Sequence, residues 1–170
     1  MVLLKQISLI FLLSIFFISC NPFAPGLDDD LTNTGGGLSD LKTIEGVFNN
    51  FQYAYTLRDT LIYGELLRSD FTFTYRDYDQ GIDVSWGRDE EMKTTYGLFQ
   101  NSQRLDLIWN NIILSSQDSL NANIVRGFNL TITFNPTDIV RIDGRVNLTL
   151  KKDLVTQKWQ IAGWLDESNF

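Results

Sequence analysis

The chain has 170 residues, with 12 Phe, 6 Tyr and 4 Trp, one cysteine, no histidine and a formal charge of −7. The missing histidine excludes a Ser-His-Asp triad, a Cys-His pair, an HExxH zinc site and any histidine general base. The acidic balance argues against nucleic acid or an anionic bilayer as an electrostatic partner, while the aromatic content is ample for a packed core.

The first element is an apolar run. Lys5 supplies one positive charge, Ile7 to Ile18 follow without a charge, and Ser19 precedes Cys20, the only cysteine. A core of about 12 apolar residues is the length of a secretory signal and short for a membrane span. This segment resembles the lipobox of bacterial lipoproteins, where a peptidase cuts before a cysteine that is then lipidated. The resemblance implies a signal peptide over residues 1–19, Cys20 as the lipidated N-terminus, and an acyl anchor in a membrane. Read without the resemblance, the run is an uncleaved anchor helix with an incidental cysteine. Either way the rest of the chain is expected outside the cytoplasm. Asn21 after the cysteine is compatible with the outer membrane, and the periplasmic face is the expected side. Loss of residues 1–19 takes away Lys5 and no acid, so the formal charge moves from −7 to −8. With Cys20 acylated, no thiol remains for a disulfide or thiolate chemistry.

Residues 20–38 read as the lipidated cysteine and a flexible linker. Pro22, Pro25 and Gly26 break structure, Asp28, Asp29 and Asp30 are solvated, and Gly35, Gly36 and Gly37 are flexible. The triple glycine follows no strand and lacks the Lys-Ser/Thr pair of a phosphate loop. Residues 39–170, about 130 in all, suit one domain.

Ser39 is the expected N-cap of a first helix. Leu41, Ile44, Phe48, Phe51 and Tyr55 follow it at helical spacing. Arg58 and Asp59 mark a break, and Asp59 is placed to cap a second helix through Arg68. Phe71, Phe73 and Tyr75 alternate with Thr72, Thr74 and Arg76 as a strand does. Tyr78 to Trp86 reads as a loop or ragged hairpin. Asp89, Glu90 and Glu91 put negative charge at the start of a third helix, where the macrodipole favours it. Met92, Tyr96 and Phe99 are predicted on one face of that helix.

From Arg104 the period becomes two. Leu105, Leu107 and Trp109 alternate, then the register moves to Ile112 and Leu114, so a bulge is expected near Asn110 and Asn111. Phe128, Leu130, Ile132 and Phe134 mark a second strand. Val140, Ile142, Gly144, Val146, Leu148 and Leu150 mark a third, and Lys158 to Asp166 the last. One apolar and one polar face predict an antiparallel sheet covered on one side, and helices before strands predict an α+β fold.

This order resembles the nuclear transport factor 2-like, or SnoaL-like, superfamily. Ala54-Tyr55 followed by Asp59, Asp70-Phe71, Trp86-Gly87-Arg88 with Glu90-Glu91, and Trp159-Gln160-Ile161 with Trp164-Leu165-Asp166-Glu167 carry the resemblance. It implies a cone, a cystatin-like α+β roll in which three N-terminal helices pack on a strongly curved antiparallel sheet around an apolar cavity. Superfamily members include isomerases, dehydratases, cyclases and non-catalytic binding domains, so fold alone says little about activity. Isomerase-like members place a carboxylate at the end of the first strand, where this chain has Phe73-Thr74-Tyr75. They place an acid on a later strand, where it has Val146, Leu148 and Leu150. Dehydratase-like members use a histidine, which it lacks.

The expected site is therefore a binding cavity. Arg126 shares the parity of Phe128, Leu130 and Ile132, so a regular strand aims it inward as a cation for an acidic ligand. The alternative, which its place toward the strand end favours, is that it snorkels to solvent or is turned by a bulge. Tyr55, Trp86 and Trp109 are candidates to line the same cavity, or are plain core. Asp77, Asp79, Asp83 and Gly81 miss the spacing of a calcium loop, because Ile82 stands where the turn glycine belongs and Arg88 replaces the closing Glu. No metal and no cofactor are expected. Asn129-Leu130-Thr131 and Asn147-Leu148-Thr149 fit the glycosylation sequon by coincidence.

The expected function is a lipid-anchored, non-catalytic envelope domain that binds a small apolar ligand or a partner protein. The alternative is an isomerase or cyclase-type enzyme with an unrecognised acid-base pair in the cavity. A weak homodimer through the polar sheet face, with Asn129, Thr131, Arg145, Asn147 and Thr149, is the expected assembly.

Overall fold

The computed structural model describes residues 37–168. The signal segment, Cys20 and most of the linker lie outside the described residues. Three helices and six strands follow in the order α1 (Ile44–Leu57), α2 (Thr60–Leu66), β1 (Leu67–Asp77), β2 (Ile82–Gly87), α3 (Arg88–Asn101), β3 (Arg104–Gln117), β4 (Asn121–Asn135), β5 (Asp138–Lys152) and β6 (Trp159–Asp166). No helix among the described residues is long and apolar enough to cross a membrane.

The first helix starts later than expected. Thr43, not Ser39, is its N-cap, with the hydroxyl accepting from Gly46 N at 3.0 Å. A turn over Asp40–Thr43 intervenes, closed by Thr43 N donating to Asp40 O at 3.2 Å. Ser39 is held instead by Asn50, whose side chain accepts from Ser39 N at 2.7 Å and donates to Ser39 O at 2.9 Å. Leu41 is off the helix yet buried, and its carbonyl accepts from Trp159 N at 2.8 Å. On α1 the buried stripe is Val47, Phe48, Phe51, Ala54 and Tyr55. Val47, Phe48 and Phe51 each contribute roughly 1.5–3 kcal/mol by leaving water.

Arg58 ends α1 in the left-handed region, φ 56°, and Asp59 caps α2 by accepting from Leu61 N and Ile62 N. The second helix stops at Leu66 rather than Arg68, because Leu67 already pairs with Ile161. The segment read as loop or ragged hairpin is a regular one. β1 and β2 pair from Thr72↔Gly87 to Asp77↔Ile82, and Gly81, with φ +69°, closes the turn by donating to Asp77 O at 2.8 Å.

On α3 the inward stripe differs from the expected one. Glu91, Thr95 and Phe99 are buried, while Tyr96 is 54% exposed. The reason is polar: Glu91 meets hydrogen-bond donors from its surroundings and so tolerates burial.

The six strands form one sheet in the order β2-β1-β6-β5-β4-β3. Four pairings are antiparallel, but β1 lies parallel to β6, so the sheet is mixed rather than wholly antiparallel. The chain leaves β1 through a hairpin, a helix and three long strands before β6 returns beside it in the same direction. The register of β3 on β4 shifts between Trp109 and Ile112, at the expected bulge, and again between Ile112 and Leu114. Bulges bend a strand and raise its twist, which lets the long β3–β5 meander curl around the helices. The inward row Val146, Leu148 and Leu150 is buried as expected.

Candidate functional site

The sheet carries its helix-facing side chains in cross-strand rows. In one row Trp86, Phe73, Trp164 and Leu148 are neighbours, and in the next Tyr75, Asp166, Val146 and Arg126. Helices α1 and α3 face these rows and leave a cavity of about 590 Å³, within the size range of small-molecule sites. Phe51 and Tyr55 line it from α1, Glu91, Thr95 and Leu98 from α3, Leu107 and Trp109 from β3, and Phe128, Leu130 and Ile132 from β4. Arg76, Asp77, Tyr78 and Asp79 lie at the β1–β2 turn, where Tyr78 is 80% exposed, and this end is the mouth.

The expected lining residues Tyr55, Trp86 and Trp109 do meet at this cavity. Trp109 is locked by its indole nitrogen, which donates to Phe48 O at 2.9 Å, and by edge contacts with Phe48 and Phe51. Trp86 stacks on Phe73 with ring centroids 4.4 Å apart. Tyr55 stacks on Phe51 and meets Phe99 edge-on. Burial, reinforced by the negative charges of Glu91 and Asp166, pushes its hydroxyl far above the ordinary tyrosine value, so it stays protonated.

Arg126 does not line the cavity. It points to the helix side, as parity required, but α1 takes it. Its Nη1 lies 3.1 Å from Glu45 Oε2, its Nε donates to Asn110 O at 2.9 Å, and its guanidinium sits 4.8 Å from the Phe48 ring centre. The bulge at Asn110 supplies the acceptor. The guanidinium is thus engaged from three sides and is not available to a ligand in the cavity.

Two carboxylates that the sequence reading did not select line the cavity instead. Glu91 is 4% exposed. Its Oε1 accepts from Tyr63 Oη at 2.6 Å and Thr95 Oγ1 at 3.0 Å, and its Oε2 accepts from Trp86 Nε1 at 2.8 Å. Three of about four acceptor positions are filled. The signal available in the sequence was the spacing Glu91, Thr95, Phe99 on one helix face, in a helix with no strong apolar stripe.

Asp166 ends β6, opposite Tyr75 and Val146. Among the described residues its oxygens accept from Ser168 alone, from N at 3.1 Å and from Oγ at 2.9 Å. It forms no ion pair among the described residues. Burial raises its pKa, and the negative charges of Glu167 and Glu91 add to the rise against the Ser168 hydrogen bonds. Trp164, two residues earlier, buries its indole nitrogen with no partner. Chemically the site is an aromatic chamber with a carboxylate held by three donors, a half-open carboxylate and a protonated phenol.

No protein-family model matches the chain, and no curated protein matches it. Solved structures do. A conserved protein from Planctomyces limnophilus is similar with a TM-score of 0.66 at 12% identity, over 74% of this chain and 93% of that one. A putative scytalone dehydratase from Novosphingobium aromaticivorans is similar with a TM-score of 0.64 at 16% identity, over 76% and 84%. A putative dehydratase of the NTF2-like family from Streptomyces avermitilis is similar with a TM-score of 0.61 at 11% identity, over 76% and 96%. At these identities the likeness is one of fold, and the domain has the nuclear transport factor 2-like fold.

Proposed function

We propose that this chain is a lipid-anchored domain of the cell envelope, held at the outer membrane through Cys20, that binds a small and largely apolar molecule in the cone cavity. The observation that carries the binding reading is the cavity itself: about 590 Å³, walled by Phe51, Tyr55, Phe73, Trp86, Trp109 and Trp164. Binding without chemistry is favoured by the state of its polar groups. Glu91 is spent on three donors, the Tyr55 hydroxyl is held protonated by burial, and the chain has no histidine. The anchor reading rests on the apolar run that ends at Ser19-Cys20. More than one acyl chain on that cysteine would hold the protein on a bilayer far more firmly than a single chain, which alone is marginal.

Native mass spectrometry of the domain purified from its own cells should find a retained small molecule of apolar character. Cys20→Ser should leave the precursor unprocessed or release the protein from the membrane fraction. An empty domain that also binds no apolar probe would overturn the binding reading, and normal processing with membrane retention of the variant would overturn the anchor.

A second reading is supported by one specific feature. Asp166, a carboxylate whose pKa burial raises, lines the same cavity as the Tyr55 hydroxyl. A base and a hydrogen-bond donor at one apolar chamber can move a proton on an enolisable substrate. Exchange of an α-proton of a cyclic enone into deuterated buffer, lost in Asp166→Asn, would establish this reading over the first. No exchange would leave binding alone.

A further inference from the structure

We infer that the molecule taken by the cavity carries a cationic nitrogen, a protonated or quaternary amine, on its apolar body, with Asp166 as the counter-ion. This rests on the cavity being a binding site and names the chemistry of its ligand.

Apart from Arg76, Asp77 and Asp79 at the mouth, the charged groups lining the cavity among the described residues are Glu91 and Asp166, and Asp166 has the more room for a partner. Glu91 has three of its acceptor positions filled by Tyr63, Thr95 and Trp86. Among the described residues, Asp166 has two filled, both by Ser168, and roughly two open. The cations near the cavity are both engaged elsewhere. Arg126 is drawn to Glu45 on α1, and Arg76, at the mouth, pairs with Asp83 at 2.9 Å. An anionic ligand would meet Asp166 and Glu91 without a free guanidinium to offset them, in surroundings where like charges are poorly screened.

The walls beside Asp166 are aromatic. Tyr75 is its register partner on β1, and Trp164 lies on the same strand. Phe73 sits 4.4 Å from Trp86 and 5.1 Å from Trp164, and Tyr75 is 5.7 Å from Trp86, measured between ring centres. Aromatic walls attract a cation through the ring quadrupole, most strongly where water is excluded, and such cages select alkylammonium groups. A cation here would also offset the cost of burial and the like-charge repulsion that Asp166 bears. The formal charge of −7 further favours the approach of cations.

Three probes of nearly one shape separate the possibilities. 1-Naphthylmethylamine, 1-naphthalenemethanol and 1-naphthoate differ chiefly in the charge of one substituent, and their binding can be read by calorimetry or tryptophan fluorescence. The amine should bind about tenfold tighter than the alcohol, and naphthoate more weakly than both. Asp166→Asn should bring the amine close to the level of the alcohol and change the alcohol far less than the amine. Equal binding of amine and alcohol, or an amine affinity indifferent to Asp166→Asn, would overturn the inference while the binding reading stands. Failure of all three to bind would overturn both. The comparison on the native chain decides the matter even if the variant is unstable.

Discussion

Arg126 on β4 and Glu45 in the first turn of α1 lie 81 residues apart in sequence and 3.1 Å apart in space. The pair ties the helix to the bulged edge of the sheet and removes from the cavity the one inward cation that strand parity had offered a ligand. The Arg126 side chain is 14% exposed and that of Glu45 57%, so solvent screens much of the charge attraction. Packing over Phe48 and the bond to Asn110 O carry the rest. Arg126→Leu should cost about 1–2 kcal/mol of stability and leave the affinities for neutral, cationic and anionic probes in their original order. A variant that loses affinity for naphthoate alone would restore Arg126 as a ligand-binding residue.

Glu91→Gln tests the buried network. The amide oxygen can keep Tyr63 and Thr95, but the amide nitrogen then faces the Trp86 N–H, donor against donor. The expected loss is about 1–3 kcal/mol in denaturant unfolding. Glu91→Ala, which abandons three donors at once, should lose more. Equal stabilities of Gln, Ala and native chains would show that the network contributes nothing.

Asp166 makes the fold pH-dependent in a defined sense. Its folded pKa lies above the ordinary carboxylate value of 3.8, with burial the largest cause. The folded state therefore binds the proton more tightly than the unfolded chain. The cost is absent well below the ordinary value, grows as pH rises through the window up to the folded pKa, and is complete above it. Asp166→Asn removes the ionisation and keeps an acceptor for Ser168. Its melting temperature should exceed that of the native chain at pH 7, and the difference should shrink toward pH 4. A constant difference across that range would contradict the raised pKa.

Gly144 marks where the C-terminal stretch crosses the sheet. A Cβ there would press into Ser168 Cα and stand 2.8 Å from Ser168 Cβ. Because both hydrogen bonds to Asp166 come from Ser168, displacement of this residue would reach the cavity. Gly144→Ala should cost about 1–3 kcal/mol and weaken amine binding. A neutral substitution would show that the stretch yields at no expense.

Much of the fold was legible in the chain because it follows from local periodicity. The alternation of Val146, Leu148 and Leu150 marked their face, the shift from Trp109 to Ile112 marked a bulge, and Asp59 before an apolar pair marked a helix cap. Each of these depends on neighbours within a few residues. The site was less legible because its polar members depend on partners far away. Glu91 reads locally as a first-turn acid facing water, and only Tyr63 and Trp86 make it a buried group.

By itself the sequence determined the order of the helices and of the strands other than β2, the inward faces of those strands, the placement of Tyr55 and Trp109 on apolar faces, and the absence of histidine chemistry. These are properties of composition and of the periods two and 3.6. Only the tertiary structure decided that β1 lies parallel to β6, which places Tyr75 beside Asp166. It alone decided that Glu45 takes Arg126 and that an Asp166 carboxylate with no ion pair among the described residues lines the cavity. Parity says which way a side chain points; charge compensation depends on which strands and helices come to lie together, and the chain does not record that within any short window.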